Sequence, residues 1–172
     1  MLIKTKRLTI RPVVKKDWRR IREIREDFQS SPYAQYDRPW SMEDEDVRRR
    51  IAVWAEAGTG RDHRFFAVCL RDEMIGYIAF NRRPDGYEIG YCFHSAFGGR
   101  GYAKESCLAL FDYAKSLEIR KLKAGTAISN LPSAGLLRSL GFQQTGTEKV
   151  SFYKDSCGND IVFDGGIFEL DL

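Results

Sequence analysis

The sequence is poor in the residues that most often bind metals or cross-link small proteins. Its cysteines number only four and stand far apart in the chain: Cys69, Cys92, Cys107 and Cys157. They form no Cys-x-x-Cys pair, so neither a disulfide framework nor a zinc site is expected. Only two histidines are present, His63 and His94, which argues against a histidine-based metal centre. We therefore predict a protein without a bound metal.

Long apolar runs are also missing. No segment is apolar over the length needed to cross a membrane, and residues 1–8 do not contain the apolar core of a signal peptide. These observations predict a cytoplasmic protein without a membrane partner. The chain has 172 residues and no repeat, low-complexity segment or linker, so we expect a single domain over residues 1–172.

A strong excess of one charge is likewise absent. The net charge is only +4, from 28 basic and 24 acidic side chains. Basic residues are dense at positions 15–25 and 48–50, which taken alone suggests a nucleic-acid surface. Acidic residues are interleaved with them, including the run at positions 43–46. We interpret the pattern as two solvated helix faces joined by ion pairs, and we expect no nucleic-acid partner.

The order of the expected elements indicates an α+β domain. Apolar patterns predict strands over residues 8–13, 63–70, 74–80, 87–93, 121–127, 143–153 and 160–170. Helical periodicity begins after Asp17, Ser41, Gly101 and Asn130, and Asp17, Ser41 and Asn130 are suited to cap a helix. Gly141 is placed to end the last helix. About seven strands and four helices, neither strictly alternating nor segregated, predict a mixed three-layer domain.

The most informative segment runs from Phe97 to Glu105 and contains Gly98, Gly99 and Gly101. It lies between the strand of residues 87–93 and the helix that follows. Glycines let the backbone come close to a ligand. The first turn of a helix has free N–H groups at the positive end of its dipole. The segment therefore predicts a binding site for a phosphorylated cofactor.

Two common phosphate motifs do not match this segment. A P-loop needs G-x-x-x-x-G-K-[ST], which the sequence lacks. A dinucleotide fingerprint needs a third glycine where the chain has Lys104, and the preceding strands are expected to form hairpins rather than a doubly wound sheet. A third motif fits better, because residues 98–103 resemble the Q/R-x-x-G-x-G/A pyrophosphate loop of the GNAT acetyltransferase superfamily. Gly98 departs from the residue usual at the first position.

Other segments carry the same resemblance. Residues 130–142 resemble the N-x-x-S and L-G-F segment of that superfamily, with Asn130, Ser133 and Gly141 at matching positions. Residues 5–12 and 88–91 are similar to the branch that acetylates the N-termini of ribosomal proteins, the RimJ/RimL type. The resemblance extends over nearly the whole chain. It implies a three-layer α/β/α acyltransferase fold whose mostly antiparallel sheet splays between its fourth and fifth strands.

The resemblance implies an enzyme that transfers an acetyl group from acetyl-CoA to a primary amine by direct attack in a ternary complex. The residues implied for the pyrophosphate are Gly98, Gly99, Arg100, Gly101, Tyr102 and Ala103. The residues implied for the rest of the cofactor are Tyr91, Cys92, Phe93, Asn130 and Ser133. The backbone of the strand end would align the pantetheine arm and polarise the thioester carbonyl.

Two residues are candidates for the proton transfers. Glu88 would take the proton of the amine, directly or through water, although its place at a strand start also suits a surface residue. Many members of the superfamily protonate the leaving thiolate with a tyrosine, but that position is Leu137 here. The resemblance therefore indicates Ser133 as the acid, and the alternative is that Ser133 only satisfies the first turn of its helix.

The acceptor is the part that the sequence defines least. The resemblance places it between the first two helices and the last two strands, where Tyr33, Tyr36 and Trp40 are candidates to line the cleft or to belong to the core. A protein N-terminus and a small amine both stay open as acceptors, and so do a monomer and a homodimer. The alternative function is a module that binds acetyl-CoA or CoA without transfer, as a sensor or scaffold.

Overall fold

The computed structural model describes residues 1–58 and 60–172. Its helices are α1 (Trp18–Gln29), α2 (Asp44–Ala57), α3 (Tyr102–Ser116) and α4 (Leu131–Ser139). Its strands are β1 (Ile3–Lys4), β2 (Leu8–Pro12), β3 (His63–Leu70), β4 (Glu73–Arg83), β5 (Gly86–Phe93), β6 (Lys121–Ala127), β7 (Gln143–Lys154) and β8 (Asp160–Asp171). The predicted α+β class is confirmed. The sequence does not predict β1, because its two residues are too few to show an alternating pattern.

The strands form one mixed sheet in the order β1-β2-β3-β4-β5-β6-β8-β7. Neighbouring strands are antiparallel except β5 and β6, which are parallel and joined by α3. Within the described part of the chain, these two strands pair only at Tyr87 with Leu122 and at Glu88 with Lys123. From Ile89 onward β5 diverges from β6, which is the splay expected between the fourth and fifth predicted strands.

Helices cover both faces of the sheet, and each face has its own hydrophobic core. Helices α1 and α2 pack on one face, where Ile21 is buried. Helices α3 and α4 pack on the other, where Leu110 and Leu137 are buried. Because side chains alternate along a strand, Phe65 belongs to the first core and Phe66 to the second. Among the described residues, no helix is long and apolar enough to span a membrane.

The ends of α4 follow the sequence pattern. Asn130 precedes the helix, and its side-chain oxygen accepts a hydrogen bond of 3.2 Å from the Ser133 N–H. At the other end Gly141 adopts a φ of +93°. Its N–H donates to the carbonyl of Arg138, as in a Schellman motif. Both predicted caps of this helix are confirmed.

The two other predicted caps are wrong. Asp17 precedes α1 without a side-chain bond to its first turn. Its carboxylate instead accepts hydrogen bonds of 2.7 and 2.8 Å from Arg11 and one of 2.8 Å from the backbone N–H of Val14, so its oxygens bond groups that precede the helix. Ser41 does not cap α2, because Glu43 occupies the position directly before the helix. The Ser41 hydroxyl donates to Asp46 at 2.7 Å.

Candidate active site

The glycine loop, residues 98–103, connects β5 to α3 after a short helical turn, Ser95–Phe97. Gly99 and Gly101 have φ angles of +70° and +78°, which residues with side chains rarely adopt. Gly101 immediately precedes α3, and its left-handed conformation turns the chain into the helix. The unbonded amides of the first helical turn and the positive end of the dipole therefore lie at the loop.

A cleft of about 540 Å³ opens beside the glycine loop, and we call it the loop cleft. Its walls come from the glycine loop, the end of β5 and the first turns of α4. It is lined by most of the cofactor-binding residues predicted from the sequence: Tyr91, Cys92, Phe93, Gly98, Gly99, Gly101, Tyr102, Ala103, Asn130 and Ser133. The exception is Arg100, whose carbonyl oxygen instead accepts a hydrogen bond from Arg7.

A second cleft, of about 320 Å³, lies on the side of the sheet that α1 covers. We call it the aromatic cleft because its lining is rich in aromatic side chains, including Phe28, Tyr36, Trp40, Trp54, Phe65 and Tyr77. Two of the predicted acceptor residues, Tyr36 and Trp40, lie here. The third, Tyr33, lines the loop cleft instead, because the segment after α1 passes over the boundary between the two clefts.

The two clefts meet where β5 and β6 separate. The residues that line both are Phe28, Tyr91, Cys92, Asn130 and Ser133. Most of them lie at the end of β5 or the start of α4, which border the gap in the sheet. A group bound in the loop cleft can therefore reach a group bound in the aromatic cleft. This arrangement suits a transfer between two ligands that enter from opposite sides.

At this junction Tyr91 and Ser133 form a hydrogen-bonded pair. The Tyr91 hydroxyl lies 2.9 Å from Ser133 Oγ and 3.3 Å from the Ser133 carbonyl oxygen. Burial raises the pKa of Tyr91 to about 12, so its hydroxyl stays protonated at neutral pH and can donate to Ser133. The helix cap uses the Ser133 N–H, not its hydroxyl. Leu137, at the position of the usual tyrosine, is buried in the core.

Glu88 lies on β5 directly before the splay and lines the aromatic cleft. Its carboxylate accepts a hydrogen bond of 2.8 Å from Arg83 Nε. Its side chain is 42% exposed, and Asn81 is its neighbour on β4. The structure thus brings Glu88 and Ser133 to the same cleft, with the carboxylate within reach of water.

Arg25 is a cleft residue that the sequence pattern places wrongly on a solvated helix face. Its side chain is only 4% exposed. The guanidinium carbon lies 5.0 and 4.5 Å from the ring centres of Phe28 and Trp40, and Nη1 donates to Asp37 at 2.8 Å. Its Nε has no hydrogen-bond partner among the described residues. The spacing in the sequence indicates this buried position, because Arg25 follows Ile21 by one helical turn and so lies on the apolar side of α1.

Arg25 keeps its charge despite its burial. Burial disfavours a charged guanidinium, but the neighbouring oxygen atoms of Tyr77 and Asp37 raise the pKa of Arg25 above its ordinary value. The aromatic cleft therefore has a fixed positive group in its wall. It also contains the carboxylates of Asp37 and Glu88, each paired with an arginine. Among the charged side chains that line the cleft, these two carboxylates stand beside the single guanidinium of Arg25.

Comparison with known proteins decides the family. The family model of the GNAT acetyltransferase domain matches residues 7–143. The chain belongs to the GNAT acetyltransferase family. Membership makes it an acyltransferase enzyme, and it confirms the resemblance that the glycine loop and the segment around Asn130 indicated.

Similar proteins agree with this GNAT assignment. The uncharacterized N-acetyltransferase YnaD of Bacillus subtilis is 30% identical over 151 residues, which cover 85% of this chain and 85% of YnaD. One similar solved structure is an acetyl transferase from Salmonella typhimurium that modifies the N-terminal serine of 50S ribosomal subunit protein L7/L12. It aligns with a TM-score of 0.85 at 19% identity, over 100% of this chain and 99% of that chain. RimL, a ribosomal L7/L12 α-N-protein acetyltransferase solved in complex with coenzyme A, aligns with a TM-score of 0.85 at 19% identity, over 100% and 98%. These two structures show that the fold is shared.

Proposed function

We propose that the protein transfers an acetyl group from acetyl-CoA to a primary α-amine, by direct attack of the amine on the thioester in a ternary complex. The observation that carries this proposal is the meeting of the loop cleft and the aromatic cleft at Tyr91, Cys92 and Ser133. Membership of the GNAT family supports the reaction class. The coenzyme A bound to the structurally similar RimL supports the choice of donor.

The loop cleft fits the donor in its backbone geometry and charge. A pyrophosphate would accept hydrogen bonds from the backbone N–H groups of the glycine loop, at the positive end of α3. Lys104 lines the same cleft and adds a cationic side chain. The backbone from Tyr91 to Phe93, which the splay separates from β6, would hold the pantetheine arm and donate an N–H to the thioester carbonyl.

Glu88 is proposed to take the proton of the attacking amine, directly or through water. An α-amine has an ordinary pKa of about 8, whereas the amine of lysine has one of about 10.4. Glu88 is half-exposed and paired with Arg83, so it is a carboxylate base that water can reach. An α-amine suits such a base better than an alkylamine, because a larger fraction of it is already unprotonated at neutral pH.

Arg25 gives a second reason to propose an α-amine. Buried charges are stable when their donors find partners, and Arg25 lines the aromatic cleft with donors beyond its bond to Asp37. A carbonyl or carboxylate oxygen beside the reacting amine would accept from them. A polyamine or an aminoglycoside would instead bring several positive charges next to a buried cation. A protein N-terminus, the kind of group that RimL modifies, belongs to the favoured class.

Ser133 is proposed to protonate the departing sulfur. As the new C–N bond forms, the C–S bond of the thioester breaks and the sulfur takes a proton. Tyr91 stays protonated, and either hydroxyl of the pair can donate. When Tyr91 donates to Ser133 Oγ, the Ser133 proton is free to point toward the sulfur. Exchange with water returns a proton to Ser133 and removes the proton that Glu88 accepted.

Cys92 lies at the junction but does not suit a covalent route. A cysteine nucleophile acts as its thiolate, and burial raises the pKa of Cys92 to about 11. Its thiol is therefore almost entirely protonated at neutral pH. This favours direct attack by the amine over a route through an acetylated cysteine.

A module that binds acetyl-CoA or CoA without transfer is the competing function, and Leu137 and Gly98 are the departures from the family pattern that favour it. Release of free thiol from acetyl-CoA separates the two functions. It is measured with a short peptide that has a free N-terminus, with an alkylamine, and without any amine. We expect release that depends on the peptide. Binding of coenzyme A with no thiol release above the rate without protein would support the binding module.

Replacing Ser133 by alanine or Tyr91 by phenylalanine is expected to lower kcat about tenfold and to change KM for acetyl-CoA by less than about twofold. The loss is modest because a CoA thiol is comparable in acidity to cysteine, with a pKa near 8.5, so a weak donor is sufficient. Steady-state kinetics measure both constants. Tyr113→Phe is the matched control, because it removes a tyrosine hydroxyl that also makes a hydrogen bond. Tyr113 lies in the last turns of α3, and its hydroxyl accepts from Arg64 of β3. Full turnover by Ser133→Ala would exclude the acid role.

A further inference from the structure

Arg7, from the N-terminal segment, contacts the glycine loop on both sides of Gly101. Residues 5–8 form a tight turn before β2, and this turn directs Arg7 toward the start of α3. Arg7 Nη1 donates to the carbonyl oxygen of Arg100 at 2.9 Å. The guanidinium carbon lies 4.4 Å from the centre of the Tyr102 ring. One side chain therefore contacts the residues that precede and follow the left-handed glycine.

Glu105 holds Arg7 in this position. Its Oε2 accepts from the side-chain Nε of Arg7 at 2.7 Å. Its Oε1 accepts from the backbone N–H of Arg7 at 3.0 Å and from the Thr5 hydroxyl at 2.6 Å. Burial opposes ionisation, but the hydrogen bonds from Thr5 and Arg7 lower the pKa of Glu105, so the carboxylate is charged at neutral pH. Because Glu105 belongs to the first turn of α3, it joins the N-terminal segment to the helix as well as to the loop.

The glycine loop has little packing of its own. Residues 98–101 are exposed, and a Cβ at Gly99 would meet nothing within 4 Å. Glycines adopt many backbone conformations, so the loop needs contacts from elsewhere to stay in one. The Arg100 carbonyl lies between the two left-handed glycines, and a hydrogen bond to it restrains both of them.

We propose that Arg7, held by Glu105, is a positioning residue that keeps the glycine loop in the conformation that binds the pyrophosphate of the donor. This inference rests on the proposed function, because it needs the loop cleft to bind acetyl-CoA. The Arg7–Glu105 pair is neutral as a whole, so it acts through geometry rather than through attraction of the phosphates. A lysine at this position would keep the charge but would not reach Glu105 and the Arg100 carbonyl together.

The test is the dissociation constant of coenzyme A, measured by calorimetry on the full chain. Arg7→Ala is expected to weaken binding about tenfold, and Arg7→Lys by nearly as much. Glu105→Gln, which keeps the size of the side chain, is expected to weaken binding at least about threefold. In kinetics the same variants should raise KM for acetyl-CoA and leave both kcat at saturation and KM for the acceptor unchanged. A general loss of folded structure would not separate the constants in this way.

Arg20→Ala is the matched control. Arg20 also donates to the carboxylates of Glu23 and Glu73 and to the backbone carbonyl of Met74. However, it belongs to α1 and does not line the loop cleft. This variant should bind coenzyme A as the unaltered protein does. If Arg7→Ala and Arg7→Lys both bound coenzyme A as tightly as the unaltered protein, the positioning role alone would be overturned. An unaltered protein that fails to bind coenzyme A would overturn the proposed function itself.

Discussion

Replacing Gly101 by valine is expected to weaken coenzyme A binding at least about 100-fold. Gly101 has a φ of +78°, a conformation that disfavours residues with a Cβ by about 1–2 kcal/mol and β-branched residues by more. Valine would therefore leave this conformation and turn the neighbouring N–H groups away from the phosphate. Each charge-assisted hydrogen bond contributes about 1.5–3 kcal/mol, so the loss of two explains the expected factor. Calorimetry with coenzyme A measures the change.

Gly158→Val provides the matched control for the backbone strain. Gly158 has a similar φ of +84° in the turn between β7 and β8, and a Cβ there would meet nothing within 4 Å. The strain is of the same kind, but this turn does not line the loop cleft. The variant should lower Tm without changing the affinity for coenzyme A. If Gly101→Val bound coenzyme A as tightly as Gly158→Val, the assignment of the glycine loop would be wrong.

Replacing Arg25 by methionine is expected to lower kcat/KM for a peptide acceptor about 100-fold, with KM for acetyl-CoA unchanged. Arg25 is 4% exposed and lines the aromatic cleft, where we propose that it bonds the oxygen beside the reacting amine. One charge-assisted hydrogen bond of this kind contributes about 1.5–3 kcal/mol, which corresponds to a loss of this order. An alkylamine of similar size lacks this oxygen and should lose little activity. The ratio of the two rates, measured by thiol release, therefore reports recognition of that oxygen.

Arg22→Met is the matched control on the same helix. Arg22 bonds Glu26, Asp44 and the Met42 carbonyl and does not line the aromatic cleft, so its variant should keep normal kinetics. Arg25→Met also leaves the Asp37 carboxylate, which is 44% exposed, without its partner. The charge-balanced variant Arg25→Met with Asp37→Asn is therefore measured beside the single one. Equal losses for the peptide and the alkylamine would contradict the proposed acceptor class.

Most of the donor side could be predicted from the sequence, because its residues are close together in the chain. The glycine loop is one contiguous segment, and Gly99 and Gly101 take the left-handed conformation that glycine adopts readily. The caps at Asn130 and Gly141 are likewise local patterns. A motif of this kind determines its own backbone geometry, so its interpretation does not depend on distant residues.

The acceptor side could not be predicted in the same way, because packing of the whole sheet assembles it. Arg25, Tyr77 and Glu88 come from α1, β4 and β5 and meet only through helix packing and strand pairing. In the sequence, Arg25 is one basic residue within a charged segment. Asp17 shows the same limit, because the local pattern predicts a helix cap while Arg11 from β2 binds its carboxylate.

Acetyl transfer to an α-amine is tested with a peptide that carries both kinds of amine. A short peptide with a free N-terminus and an internal lysine is incubated with the protein and acetyl-CoA, and fragmentation mass spectrometry locates any acetyl group. We predict one acetyl group on the N-terminal α-amine and an equal amount of free CoA. Acetylation of the lysine alone, or an unmodified peptide beside protein that binds coenzyme A, would exclude transfer to the α-amine.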